Sequence, residues 1–440
     1  MAVTDHDREA PGSARVLTWS TIAFTLMFAV WLMFGILGKP IQAEFGLTDV
    51  QLSWISSLAV LNGSMWRLPA GMLADRYGGR IVFLVMMLLG AVASVAVANA
   101  QSYSMLLVLA FLVGIVGNSF SAGVAWNSAW FTDRRKGVAL GVFGAGNVGA
   151  SVTKFIGPPI IATTAGATFI LGIQGGWRLI PIVYAVLLVV CAIGLWFGTP
   201  KPDRTPGKSQ SIGEMLTPLR DVRVWRFSLY YVVAFGAYVA FSTILPAYYV
   251  DNFGVSLTTA GLLTATFIFP ASLLRPVGGW FSDAWGARTA MYATFLVMIA
   301  ALAVLSIPSG VKDGSAFGLP LWLLVSLVFI VGCAMGIAKA AIYKHIPTYF
   351  PHHVGAVGGL VGMLGGLGGF FLPPMFAYLK EATGLVSTPF VVLLVITIAA
   401  LLWMHAAIRQ MKRLPEPAPD GIDLPDGHTA STTTTASTKK

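Results

Sequence analysis

Charge is scarce in this chain. Asp, Glu, Lys and Arg make up 10% of its 440 residues, against about 25% in soluble domains. That deficit excludes an ordinary soluble enzyme, a disordered chain and a nucleic-acid-binding domain. Cysteine is nearly absent. Cys191 and Cys333 stand alone inside apolar runs, which excludes a disulfide framework and a metal cluster. The 48 glycines follow no G-X-Y period, which excludes collagen. The polar residues 1–15 lack the pattern of a cleaved signal peptide, so the first apolar run is expected to be retained.

Apolar side chains are abundant, at 56%. Apolar stretches recur over 16–38, 51–74, 80–99, 104–131, 137–165, 176–198, 223–250, 257–282, 287–307, 318–345, 353–380 and 386–410. Each is long enough to cross a hydrocarbon core as a helix. The expected fold is an all-α polytopic membrane protein of twelve transmembrane helices in two six-helix halves, 16–198 and 223–410. Residues 1–15 form an N-terminal segment and the proline-bearing stretch 199–222 a linker. The Thr/Ser-rich tail 411–440 is expected to be disordered. About twenty Lys and Arg fall on one face of this arrangement. Four (Lys39, Arg178, Lys312 and Lys380) fall on the other. By the positive-inside rule the linker and both termini are cytoplasmic, and the net charge of +10 reports basic loops rather than nucleic acid.

The halves repeat. Adding 208 takes Arg67, Gly71, Asp75, Gly78 and Arg80 to Arg275, Gly279, Asp283, Gly286 and Arg288. Adding 218 takes Gly114, Gly141 and Gly144 to Gly332, Gly359 and Gly362. A duplicated six-span unit is the architecture of many secondary transporters, with substrate held between the halves. The loop GMLADRYGGR (71–80) resembles the cytoplasmic loop motif of the major facilitator superfamily. Its second copy, GWFSDAWGAR (279–288), lacks a match to Arg76.

Every carboxylate falls in a loop, a tail or near a span end, whereas Arg67, Lys154, Arg275 and Lys339 fall inside spans. A charge at that depth is costly unless it faces a polar cavity. Cations without a carboxylate partner point to an anionic substrate. Arg67 and Arg275 each lie eight residues before a loop aspartate, roughly 12 Å into a core of about 30 Å. Their planar, permanently charged forks suit a small flat oxyanion. Lys339 is close enough to Lys344 to snorkel to the interface, and Lys154 could reach the opposite one. Asn147 lies at the depth of the arginines in GVFGAGNVGASVTKF (141–155), where its amide either donates to an anion or bonds another helix.

That stretch and GGLVGMLGGLGGFFLPP (358–374), taken with the arginine pair, resemble the two signature motifs and the substrate clamp of the nitrate/nitrite porter family, the NarK-type branch of that superfamily. The resemblance implies transport of nitrate or nitrite by alternating access, with Arg67 and Arg275 binding the anion. It implies that Tyr231 and Phe235 close the site, with Phe34 a weaker candidate. GNVGASVTKF and GIAKAAIYKH (336–345) resemble the proton-coupled subtype, which brings Lys154, Lys339 and then His345 forward as coupling residues. Nitrate/nitrite antiport is the alternative, and carriage of another small anion a further one. No cofactor or metal is expected. The expected partners are the anion, protons and membrane lipid. The expected working unit is a monomer in a bacterial inner membrane. A drug exporter would need an intramembrane carboxylate. An enzyme would need a nucleophile–base pair at one depth, and the six histidines all lie near loops, tails or helix ends.

Overall fold

The computed structural model describes residues 10–169, 172–205, 212–312, 314–350 and 354–411. The first nine residues, Lys208, the loop histidines His352 and His353, and the tail beyond 411 lie outside the described residues. Twelve helical spans run back and forth through one bundle. They are α1 (Ser13–Trp31 continued by Phe34–Phe45), α2 (Asp49–Met65 and Arg67–Tyr77), α3 (Gly79–Ala98), α4 (Tyr103–Trp130), α5 (Asp133–Ala145 and Gly149–Thr164) and α6 (Gly176–Gly198). After the linker come α7 (Val222–Phe253), α8 (Leu257–Leu273 and Arg275–Trp285), α9 (Ala287–Leu305), α10 (Leu321–Tyr349), α11 (Val354–Thr383) and α12 (Thr388–Met411). A small hairpin, β1 (Gly310–Lys312) with β2 (Ser315–Phe317), joins α9 to α10.

The repeat read from the sequence holds in the backbone. Gly46 and Gly254, 208 residues apart, end α1 and α7 with φ of 61° and 65°, a conformation that favours glycine. Thr48 and Ser256 then cap α2 and α8 by accepting from Gln51 N–H and Thr259 N–H. Gly78 and Gly286 share φ 87° at the next turn. Each half therefore enters and leaves its second span the same way.

Among the described residues nine helices are long and apolar enough to cross a membrane, and the two parts of α8, bent by 44°, make a tenth. The exceptions are informative. The three spans outside the nine, α2, α5 and α8, are those that carry Arg67, Asn147 and Arg275. α2 breaks at Trp66 (φ −94°, ψ 9°) and α8 at Leu274 (φ −82°, ψ 6°), again 208 residues apart. Pro69 and Pro276 follow in the first turn of the second parts, where a ring and a missing N–H stop the helix running straight through. α5 tightens instead into a 3-10 turn at Gly146–Val148.

The two ends of the bundle differ. At the end away from the basic loops, Lys39 of α1 pairs with Asp251 of α7 at 2.6 Å, and Lys380 of α11 pairs with Asp49 of α2 at 2.7 Å. Gln42 accepts from Lys39 Nζ at 2.6 Å and donates to Asp49 at 2.9 Å, so the two cross-half pairs form one chain. Below it lies a cavity of about 100 Å³ lined by Phe34, Ser56 and Thr243 among others. Toward the basic end some glycines of α5 and α11 face open space, whereas a Cβ on Gly359 would lie 2.8 Å from Leu68 of the opposite half. Gly137, Gly141 and Gly355 have no neighbour within 4 Å of where a Cβ would sit, whereas a Cβ on Gly149 would lie 1.9 Å from the Thr25 carbonyl. The halves are thus tied by ion pairs at one end, with open space beside some glycines toward the other.

Candidate anion-binding site

The two breaks turn Arg67 and Arg275 into the seam between the halves. Arg67 is 1% exposed, while Arg275 is half-buried. Arg67 Nε donates to the Gly63 carbonyl at 3.1 Å and Nη1 to the Gly362 carbonyl of the opposite half at 2.8 Å. Its Nη2 is buried with no partner. Arg275 Nη2 donates to the Tyr231 hydroxyl at 3.0 Å, and its Nε is also buried without a partner. Among the described residues no carboxylate pairs with Arg67, Arg275, Lys154 or Lys339. These buried donors therefore have no acceptor among the described residues.

Aromatic rings complete the enclosure. The Arg67 guanidinium carbon lies 5.0 Å from the Phe235 ring centre, 5.6 Å from Trp31 and 5.9 Å from Phe120. Arg275 lies 5.6 Å from the same Phe120 ring, so one phenyl group on α4 stands beside both cations. Tyr231 stacks on Phe235 at 5.1 Å, the first just before and the second within a π-helical turn at Val232–Gly236. Such turns recur at functional sites. Tyr343 of α10 meets Tyr231 edge-on at 5.0 Å and donates to the Gly358 carbonyl.

The sequence candidates divide. Arg67, Arg275, Tyr231 and Phe235 come together as expected. Asn147 is fully buried, and neither polar atom of its amide has a hydrogen-bond partner among the described residues. Phe34 does not join them: it lines the cavity at the tied end, and Trp31 is the α1 aromatic beside Arg67. The lysines do not snorkel. Both are 1% exposed. Lys154 Nζ donates at 3.1 Å to the Leu32 carbonyl at the break in α1, which also accepts from Gly35 N–H. Lys339 Nζ donates to the Ala271 carbonyl at 3.0 Å and sits 3.4 Å from the centre of the Tyr238 ring. A carbonyl near a helix break can hold an ammonium group inside the bundle, and hydropathy gives no sign of that. His345 packs against Phe227 and Tyr349 on α7 and α10, with a hydrogen bond to Ala341. Phe120, Tyr343 and Tyr238 were not singled out from sequence. Phe120 alone carries a local signal, as the one aromatic in the small-residue run SFSAG (119–123).

Two six-helix halves, tied at one end and meeting over buried cations from both, define a secondary membrane transporter. The sequence matches the Major Facilitator Superfamily over residues 19–370 and 227–429. It is 60% identical over 415 residues (92% of this chain and 94% of the relative) to a protein of Thermus thermophilus named "Probable nitrate/nitrite antiporter NarK1". It is 30% identical over 88% of its length to the "Probable nitrate transporter NarT" of Staphylococcus epidermidis and to the "Nitrite extrusion protein" of Bacillus subtilis, covering 95% and 94% of those chains. Among solved structures, a bacterial homologue of the human lysosomal transporter Spinster in an inward-facing, unoccupied form aligns with a TM-score of 0.70 at 18% identity, covering 93% of this chain and all of that one. The chain belongs to the major facilitator superfamily and, within it, to the nitrate/nitrite porter family.

Proposed function

We propose that this protein carries nitrate, and nitrite with it, across a bacterial cytoplasmic membrane by alternating access. The observation that carries this reading is the pair of arginines, one from each half, whose unfilled N–H donors flank one phenyl ring with no carboxylate among the described residues to neutralise them. A monoanion between them removes the repulsion that otherwise resists closure, so binding and conformational change are coupled. The names of the relatives supply the same substrate class. The basic end is read as cytoplasmic, with both termini there, because about twenty cations face four. The structure then corresponds to the inward-open member of the cycle. One chain forms the whole site, which supports a monomer as the working unit.

For coupling, the reading is nitrate/proton symport. A proton-coupled carrier must return empty, which requires some group to relieve the repulsion between the arginines. Lys154 and Lys339 are buried amines held only by carbonyls and an aromatic face, and an amine can lose its charge where a guanidinium cannot. Nitrate/nitrite antiport is the second reading, favoured by the name of the 60% relative. Lumenal pH in proteoliposomes separates them. Acidification on nitrate addition to vesicles free of nitrite supports symport. Uptake only into nitrite-loaded vesicles, with no pH change, supports antiport and leaves the lysines as structural.

A further inference from the structure

We propose that Tyr238 is a positioning residue of the anion site, its hydroxyl fixing the broken backbone that carries Asn147 across the interface between the halves. This assignment rests on the reading of Arg67, Arg275 and Asn147 as the site. Asn147 stands in the 3-10 turn of α5, where its carbonyl takes the Gly149 N–H within the turn and keeps a second lone pair for another donor. Tyr238, on α7 just past the π-helical turn, supplies it at 3.1 Å. A phenol has one proton, and here it goes to the carbonyl. The hydroxyl of Ser272, 3.0 Å away, must therefore donate to the Tyr238 oxygen.

Ser272 lies two residues before the Leu274 break and three before Arg275. One buried hydroxyl thus joins the two interrupted helices, α5 and α8, that present Asn147 and Arg275. The ring itself is gripped. Lys339 Nζ lies 3.4 Å from its centre and is anchored on the Ala271 carbonyl in that same turn of α8. Tyr238, Asn147 and Ser272 are all fully buried. The asparagine amide remains unpartnered while its own backbone is tied. That combination holds the group in place and leaves it available to a ligand.

Tyr238→Phe keeps the ring and its contact with Lys339 and deletes only the tie. The half-saturation for nitrate is expected to rise about fivefold to tenfold, the equivalent of one lost neutral hydrogen bond, with maximal rate nearly unchanged. Tyr249→Phe is the control, because Tyr249 is equally buried on the same span and its hydroxyl makes no hydrogen bond among the described residues. It should leave uptake as it is. In the background of Asn147→Ala, Tyr238→Phe should add nothing further, since it acts through that residue. Should Tyr238→Phe fail to reach the membrane, Ser272→Ala removes the donor to the same hydroxyl and should raise half-saturation in the same sense. An unchanged half-saturation in Tyr238→Phe, or a full additional loss on top of Asn147→Ala, overturns the assignment. Arg67→Lys, run in parallel, keeps the two levels apart. If it abolishes binding while Tyr238→Phe does not affect it, the tie alone is wrong. If Arg67→Lys also binds nitrate normally, the site itself is misplaced.

Discussion

Arg67 reaches across the seam to donate to the carbonyl of Gly362 at 2.8 Å. The relationship has a mirror. Arg275, its mate 208 residues on, has Nη1 2.9 Å from where a Cβ would sit on Gly144, and Gly144 and Gly362 are themselves the matched glycines of the two signature stretches. Each arginine lies against the glycine-rich helix of the opposite half. The repeat in the sequence is thus a repeat in contact, and the glycines serve the arginines as well as the packing of helices.

Arg67→Lys and Arg275→Lys test the fork. Both retain charge and lose the paired donors. A charge-assisted hydrogen bond contributes about 1.5–3 kcal/mol, so each variant should lose roughly tenfold to hundredfold in nitrate affinity while reaching the membrane normally. Arg67→Lys should be the more damaging, because Arg67 is fully buried and holds two carbonyls, whereas Arg275 is half-buried. Binding measured on purified protein checks both. Wild-type affinity in either variant removes that arginine from the site.

Three glycines on α5 should respond differently to the same methyl group. Gly141 faces open space, and Gly141→Ala should be silent. At Gly144 the methyl meets only the end of the Arg275 side chain, so Gly144→Ala should fold normally and bind nitrate more weakly. At Gly149 the methyl would lie 1.9 Å from the Thr25 backbone carbonyl, so Gly149→Ala should lose expression or thermal stability first. Melting temperature and affinity, measured together, separate the three. Equal effects at all of them would contradict the contact pattern.

The chain Asp251–Lys39–Gln42–Asp49–Lys380 should set the balance between the two faces. It joins α1 to α7 and α2 to α11 across the seam and must part when the tied end opens. Its members are partly exposed, so each pair contributes about 0.2–1 kcal/mol. Asp251→Asn with Asp49→Asn should therefore raise the outward-open population by roughly twofold to tenfold. Distances between spin labels at the two ends report that population. Lys39→Asp combined with Asp251→Lys should return it toward wild type, and failure of the swap would show that the pair does not act through its charge.

How much of this was legible in the sequence follows from what hydropathy and spacing encode. The spans, the two halves and the pair Arg67 and Arg275 were, because a charge in an apolar run stands out and a duplicated register needs no structure to be counted. The positions of the breaks were not. Trp66 and Leu274 are unremarkable apolar residues, and a proline three or two positions later stops a helix only in some contexts. Which aromatic faces the seam was not legible either. Trp31 and Phe34 both lie on α1, but the break between them sends one to Arg67 and the other to the tied end. The depth of Lys339 was misjudged because nearness to Lys344 along the chain suggested snorkelling, while the Ala271 carbonyl and the Tyr238 ring that hold it come from other helices. Lys39 and Asp251 are 212 residues apart, and nothing local joins them.

The two buried lysines can be told apart by assay rather than by loss of function alone. Lys154 is fastened at the break in α1, away from the rings around the arginines, and its Nζ has one carbonyl partner. Lys339 lies on Tyr238 and within 5.6 Å of the Phe235 ring centre, against the aromatic wall of the site. Lys154→Ala should therefore reduce uptake driven by a pH gradient more than exchange of labelled against unlabelled nitrate, if it takes part in returning the empty carrier. Lys339→Ala should reduce both, since loss of the amine disturbs Tyr238 and the anion wall together. The measurement is the ratio of gradient-driven uptake to exchange for each variant. A fall in that ratio for Lys154→Ala assigns it to coupling, because exchange never requires the empty carrier to return. An unchanged ratio assigns it to holding the break in α1, and symport would then have to rest on Lys339 alone.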